Sequence, residues 1–217
     1  MRYDNVVWDW NGALLDDISI SVRTINEMLG KRSLALLTSE SYREVFGFPV
    51  KNYYETVGFD FVKEDWDQVS MEYVTTYEFF TPDADLTDGV QEVLSELKDR
   101  GVKQYVLSAL KEDLLHDMLE RFGIKKYFEG ICGSDNIYAD GKIGRGKSML
   151  QNYPIHPVKT LMIGDTLHDA EVARSLGFDC LLYTRGHNST ERLCQHEKVI
   201  HHLREIPLWM AEMSRKE

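Results

Sequence analysis

Four places in this sequence put a charged or hydrogen-bonding side chain behind an apolar run or between glycines. Val6-Val7-Trp8 stops at Asp9, with Asn11 and Gly12 just behind it, and Tyr105-Val106-Leu107 stops at Ser108-Ala109. Gly144-Arg145-Gly146-Lys147-Ser148 carries a lysine, and Leu161-Met162-Ile163 stops at Gly164-Asp165, with Thr166-Leu167-His168-Asp169 following. A carboxylate is ionised at neutral pH and can attack an electrophile or hold a cation. Two acids four residues apart behind an apolar strand suit a hard divalent cation that keeps several of its waters. Each place also has a plainer account. A serine after a strand caps a helix, an isolated lysine is solvated, and Gly164-Asp165 with Asp169 is a capped turn.

The elements that must position these groups read as an α/β chain. A run of β-formers ending at a carboxylate, with a glycine three residues on, is how a buried parallel strand hands a group to a loop. Asp9 then sits at a strand's carboxyl end, where α/β sheets place ligands. Asp16 and Asp17 open a helix carrying Ile18, Val22, Ile25 and Leu29, which Gly30 ends. Three more helical patterns follow without a strand: after Thr38-Ser39-Glu40, after Pro49, and through Trp66, Val69, Tyr73, Tyr77 and Phe80. Residues 17–82 thus read as an all-helical unit whose aromatics are expected to form its core. Its segment Phe46-Gly47-Phe48-Pro49 is a fixed loop that either reaches over a site or simply turns.

From residue 83 helices alternate with short strands. A helix on Val90–Leu97 precedes the strand ending at Ser108, and a helix on Leu114–Phe122 precedes a strand near 128–132. A helix near Lys147–Asn152 leads to the strand ending at Gly164-Asp165, and a helix on Ala170–Leu176 leads to the strand Cys180–Tyr183. Lys198–Glu217 reads as a short strand and a closing helix. Strict alternation implies right-handed crossovers and a parallel sheet covered on both faces.

From Asp9 to about His187 the chain resembles the haloacid dehalogenase superfamily, in the branch with a helical C1-type cap that includes phosphoglycolate phosphatases. The resemblance implies a doubly wound, Rossmann-like α/β core at 1–16 and 83–217, with the cap inserted at 17–82. Asp9 matches the nucleophile that becomes an aspartyl-phosphate, and Ser108 with the Ala109 N–H matches the second motif, which binds phosphoryl oxygens. Lys147 matches the charge-neutralising lysine, and Gly12 joins Ser108, Ala109 and Lys147 in holding phosphate. Gly164-Asp165 and Asp169 match the acidic motif, so that Asp9, the Asn11 carbonyl, Asp165 and Asp169 would hold Mg2+. The implied activity is a magnesium-dependent phosphatase acting on a small phosphorylated metabolite.

Two positions depart from the family pattern. Asn11 stands where most phosphatases of the superfamily carry a second aspartate, which protonates the leaving group and later deprotonates water. An amide keeps the carbonyl and loses the proton transfer, typically worth a factor of about 10² to 10⁴. Leaving groups that need no proton, as in acyl and aryl phosphates, should suffer least. Ala13 replaces a threonine, at a smaller cost. Two alternatives stay open: a pseudo-enzyme that binds or regulates, and a phosphonatase-like hydrolase using a cap lysine, although the sequence singles out none, since Lys31, Lys51 and Lys63 all read equally as solvated surface lysines. His168 reads as a surface or supporting residue. Arg145 and Arg185-Gly186-His187-Asn188 either line the mouth or are scattered surface.

The 217 residues carry a formal net charge of −11, which argues against nucleic acid or an anionic membrane as a partner. Cys132, Cys180 and Cys194 are widely spaced and read as small hydrophobes of a reducing compartment. The first strand begins too early for a leader, and no run reaches the roughly 20 apolar residues of a membrane span. A cytoplasmic protein, monomeric or weakly dimeric, is expected.

Overall fold

A computed structural model describes residues 2–139, 141–196 and 198–215. The first strand, β1 (Asn5–Trp8), leads to the two-residue β2 (Leu15–Asp16) and then to four helices, α1 (Ile18–Lys31), α2 (Ser39–Val45), α3 (Val50–Thr56) and α4 (Trp66–Phe80). After β3 (Asp85–Leu86) the chain alternates through α5 (Val90–Asp99), β4 (Lys103–Lys111), α6 (Glu112–Arg121), β5 (Gly130–Ser134), α7 (Lys142–Asn152) and β6 (Thr160–Gly164). It ends with α8 (Leu167–Leu176), β7 (Asp179–Tyr183), the short α9 (Thr190–Leu193), β8 (Val199–Ile200) and α10 (Ile206–Arg215). The last two residues of the expected closing helix, Lys216 and Glu217, lie outside the described residues.

Six strands form one parallel sheet in the order β5-β4-β1-β6-β7-β8. The chain winds outward from β1 in both directions, so β1 lies at the switch point where open α/β sheets bind ligands beyond their carboxyl ends. Trp8 is level with Val106 of β4 and Ile163 of β6, which brings the three strand ends together.

Alternation along β1 assigns its side chains to opposite faces. Val6 and Trp8 pack with Val106, Ile163 and Leu181 beneath α5, α6 and α10. Val7 packs with Tyr105, Leu107, Met162 and Leu182 beneath α7 and α8. A third apolar cluster, with Ile25, Met28, Leu29, Tyr42, Tyr53 and Tyr54, lies within the helical stretch between β2 and β3.

The structure differs from the sequence reading at three places. β2 and β3 form an antiparallel ribbon, Leu15 against Leu86 and Asp16 against Asp85, where the chain enters and leaves the helical insert. β4 does not stop at Ser108 but runs to Lys111, with an irregular register after Leu107. α7 begins at Lys142, five residues before the expected start near Lys147.

Candidate active site

The carboxylates of Asp9, Asp165 and Asp169 converge at the end of β1, with one oxygen from each lying within 4.8 Å of the others. β1 delivers Asp9, whose N–H donates to Ile163 O at 2.8 Å. β6 delivers Asp165. Asp169 stands in the first turn of α8, where its Oδ2 accepts from the N–H groups of Asp165 (3.1 Å) and Thr166 (3.0 Å). Thr166 and Asp169 form a reciprocal capping box at this helix start. Capping and site-building are therefore one arrangement here.

Lys142, the first residue of α7, is the cation of the cluster. Its Nζ lies 2.6 Å from Asp9 Oδ1 and 2.6 Å from Asp169 Oδ1, with only 4% of the side chain exposed. A lysine at a helix N-terminus works against the macrodipole, so counter-charges must hold it there. Burial alone would lower its pKa, but Asp169 and Asp9 outweigh burial and raise it. Asp9 is raised to about 6, by burial first, with Lys142 pulling it down and Asp169 pushing it up. Burial also raises Asp165.

Lys147, the lysine expected from sequence, is exposed on the outer side of α7 and makes none of these contacts. This corrects the reading. One and a half turns of helix separate Lys147 from the site end of α7.

Three carboxyl groups share one ammonium in a buried volume. Asp165 Oδ1 is buried without a hydrogen-bond partner. An acid-rich, all-oxygen donor set with an orphaned acceptor fits a hard divalent cation. Gly12 (φ +75°) and Gly186 both press against the Asp165 carboxylate so closely that a Cβ at either would collide with it. His187 N–H donates to Asp165 Oδ2 at 2.5 Å.

A fourth buried carboxylate, Asp17, organises the side of the site where the chain enters the insert. It precedes α1 as its N-cap residue but makes no capping hydrogen bond. Instead it accepts from Asn11 Nδ2 (2.9 Å), Gly12 N–H (2.9 Å), Ser21 Oγ (3.2 Å) and the Tyr77 hydroxyl (2.8 Å), with His187 Nε2 at 3.2 Å. Burial raises its pKa, but His187 and these donors together lower it. Burial disfavours a charged His187, and Asp17 overrides this to bring its pKa to about 9. The other ring nitrogen, Nδ1, lies 2.8 Å from the Tyr42 hydroxyl.

Of the residues expected to hold phosphate, Ala109 borders the cavity above Asp9 and Ser108 does not. Ser108 is buried, its Oγ accepts from the Leu110 N–H at 3.0 Å, and it caps no helix. The Gly12 N–H is shared between Asp17 and Leu15 O (2.9 Å). Asn11 reaches the site, with its amide nitrogen also 2.8 Å from the Tyr77 hydroxyl.

The loop at Phe46–Pro49 does reach over the site, since Phe46 and Phe48 line the cavity. It is latched by Asn188 Nδ2 and Arg192 Nη1, which donate to Phe46 O at 3.0 and 2.6 Å, and Arg43 Nε donates to Gly186 O at 2.9 Å. Phe48 stacks on His168 at 4.5 Å. Arg145 donates to Gly133 O at 2.7 Å and does not line the cavity. In the segment 185–188, Arg185 is exposed while His187 and Asn188 are buried. Cys132 and Cys180 are buried, and Cys194 is exposed.

Lys142, Asp17 and Tyr77 were not picked out for the site by sequence, and His187 was named only within a segment that either lines the mouth or is scattered surface. Lys142 directly follows Gly141 at a helix start, which is a legible position, but the glycines around it mask the helix. No helix among the described residues is long and apolar enough to cross a membrane.

Comparison with known proteins shows which family the chain resembles. A family model described as haloacid dehalogenase-like hydrolase matches residues 6–183. A 5'-nucleotidase from Pseudomonas aeruginosa is 24% identical over 202 residues, covering 91% of this chain and 90% of its own length. A phosphoglycolate phosphatase from Caulobacter vibrioides is 25% identical over 209 residues, covering 93% and 88%. A solved haloacid dehalogenase-like protein of unknown function from Agrobacterium tumefaciens superposes with a TM-score of 0.81 at 22% identity, over 98% of this chain and 99% of that one. This last likeness concerns the fold alone.

Proposed function

The chain belongs to the haloacid dehalogenase-like hydrolases, and on that premise we propose a Mg2+-dependent phosphatase in which Asp9 is the nucleophile and residues 17–82 form a cap over the core. The observation that carries this reading is the buried set of Asp9, Asp165 and Asp169 tied by Lys142, with Asp165 Oδ1 unpartnered. Asp9, Asp165, Asp169 and the Asn11 carbonyl would hold the ion, which when bound would neutralise phosphoryl charge and orient the ester. Lys142 fixes Asp9 Oδ1 and balances part of its charge. Asp9 attacks phosphorus, the P–O bond to the leaving group breaks, and the aspartyl-phosphate is then hydrolysed by water. In this reading the Ala109 N–H would donate to a phosphoryl oxygen at the cavity wall, which Ala109 lines. The insert excludes bulk water from these steps.

Asn11 cannot move a proton, and its amide is held by Asp17 and Tyr77. The reading is therefore of a phosphatase selective for good leaving groups. The same observation favours the second reading, a pocket that binds and does not turn over. Support for a phosphonatase is weaker. Among the described residues no insert lysine lines the inner cavity, Lys31 pairs with Glu72, Lys63 pairs with Asp60, and Lys51 is exposed.

The test is phosphate release from acetyl phosphate, which needs no acid. Release that requires Mg2+ and disappears in Asp9→Asn is expected. Stable phosphorylation of Asp9 without release would replace the phosphatase reading with the binding one. Lys147→Ala should leave the melting temperature and phosphate release as in wild type, within the roughly 0.5 kcal/mol of a surface change. A tenfold fall in release would return Lys147 to the site.

A further inference from the structure

The cavity above Asp9 differs in character from the charged floor beneath it. It measures about 140 Å3 and is bounded by the insert on one side and by the ends of β4 and α6 on the other. Apart from Asp17, whose carboxylate is held by His187 and its other donors, none of the insert side chains in its lining is charged; Phe46, Tyr53, Trp66 and Tyr73 supply rings, and Leu110 and Leu114 face them from the core. The cations of the lining are already committed or peripheral. Lys142 is bound by two carboxylates, His187 faces Asp17, and Lys111 is exposed.

A carboxylate or second phosphate on the leaving group would be dehydrated here with no cation to meet it. A flat apolar group would gain about 25 cal/mol for each Å2 buried, together with edge and face contacts to the rings. The volume suits one ring, being close to the roughly 150 Å3 of an apolar cavity known to hold benzene. One further group waits for an occupant. Tyr53 lines the cavity, and its buried hydroxyl has no hydrogen-bond partner.

We propose that the substrate is a phosphate monoester of an uncharged aromatic alcohol, whose ring fills this cavity and whose oxygen departs as a phenolate. The proposal rests on the phosphatase reading and specifies its leaving group. It also accounts for Asn11. A phenol has a reference pKa of about 10, against about 16 for water, so its oxygen leaves without the proton that Asn11 cannot supply. As Asp9 Oδ bonds to phosphorus, the P–O(aryl) bond breaks and its electron pair goes to the phenolate, which is later protonated by solvent. Water then adds its oxygen to phosphorus, the acyl–phosphate bond breaks, and the Asp9 carboxylate, inorganic phosphate and a proton result.

The experiment measures kcat/KM of the full chain with Mg2+ on phenyl phosphate, cyclohexyl phosphate, phosphoglycolate, phosphocholine and acetyl phosphate, and competition by phenylphosphonate and methylphosphonate. Phenyl phosphate should exceed the three alkyl esters by about 10² or more. Phenylphosphonate, which cannot lose a phenolate, should compete at least about tenfold more strongly than methylphosphonate through ring burial alone. Leu114→Arg should weaken phenylphosphonate and strengthen phosphoglycolate as competitors. If acetyl phosphate is turned over while phosphoglycolate or phosphocholine matches phenyl phosphate, the aromatic assignment falls and the phosphatase reading stands. Equal competition by the two phosphonates also overturns the assignment. Absence of release from every compound overturns both.

Discussion

Exchange of Lys142 for methionine is expected to lower folding stability by about 3–5 kcal/mol in the absence of a divalent cation and to abolish phosphate release. The side chain is 4% exposed and holds Asp9 Oδ1 and Asp169 Oδ1 at 2.6 Å each. Methionine fills similar space but leaves three buried carboxylates facing one another with no positive charge among them. Breaking a buried pair by removing one partner is costly because the remaining charge is stranded. For a chain of this size each kcal/mol moves the melting temperature by about 2–4 °C, which thermal unfolding resolves easily. Saturating Mg2+ should recover part of the loss in Lys142→Met, because a dication at Asp9, Asp165 and Asp169 screens the same charges. Asp165→Asn should remove that Mg2+-dependent stabilisation. A wild-type melting temperature in Lys142→Met without Mg2+ would contradict the charge arrangement described above.

Asn11→Asp is the second large effect, and it is a gain. Alkyl esters such as phosphoglycolate should be hydrolysed faster by about 10² to 10⁴, the usual worth of positioned acid–base catalysis. Phenyl phosphate and acetyl phosphate should change by less than about tenfold, since their leaving groups depart unassisted. The gain comes with a structural cost. The Asn11 amide donates to Asp17 Oδ2 at 2.9 Å, and an aspartate there would face a buried carboxylate instead. We therefore expect Asn11→Asp to melt below wild type even as it turns over alkyl esters faster. Kinetics on paired alkyl and aryl esters, alongside thermal unfolding, separate the two consequences. The Asn11-Gly12 pair is prone to deamidation, so mass spectrometry must first show an intact amide in the wild type. An unchanged alkyl rate would mean that residue 11 does not reach the leaving group.

Much of this site was legible because it is written at strand ends. Asp9 and Asp165 each follow a short apolar run, and Asp169 lies four residues beyond Asp165. Lys142 was hidden for a different reason. Gly141, Gly144 and Gly146 lower helix propensity, so the stretch reads as a loop. Gly146 suits the close packing of α7 on α8 and β4, since a Cβ there would press into the methyl groups of Leu176 and Leu107. Asp17 looked like an ordinary helix cap. Its position before α1 is that of a cap, but five neighbours draw its carboxylate inward.

By itself the sequence determined the alternation of helices and strands, the parallel sheet, the all-helical stretch before residue 83 and the acids at the strand ends. These follow from side-chain period and local chemistry over a few residues, which a linear chain displays directly. The tertiary structure alone decided which lysine meets Asp9, which way the Asn11 amide points, and that the insert lines the chamber above the acids with aromatic rings. Each of these depends on groups far apart in sequence: Lys142 lies 133 residues from Asp9, and His187 lies 170 from Asp17. Charge balance and shape at such a point exist only once the sheet has brought its strand ends together.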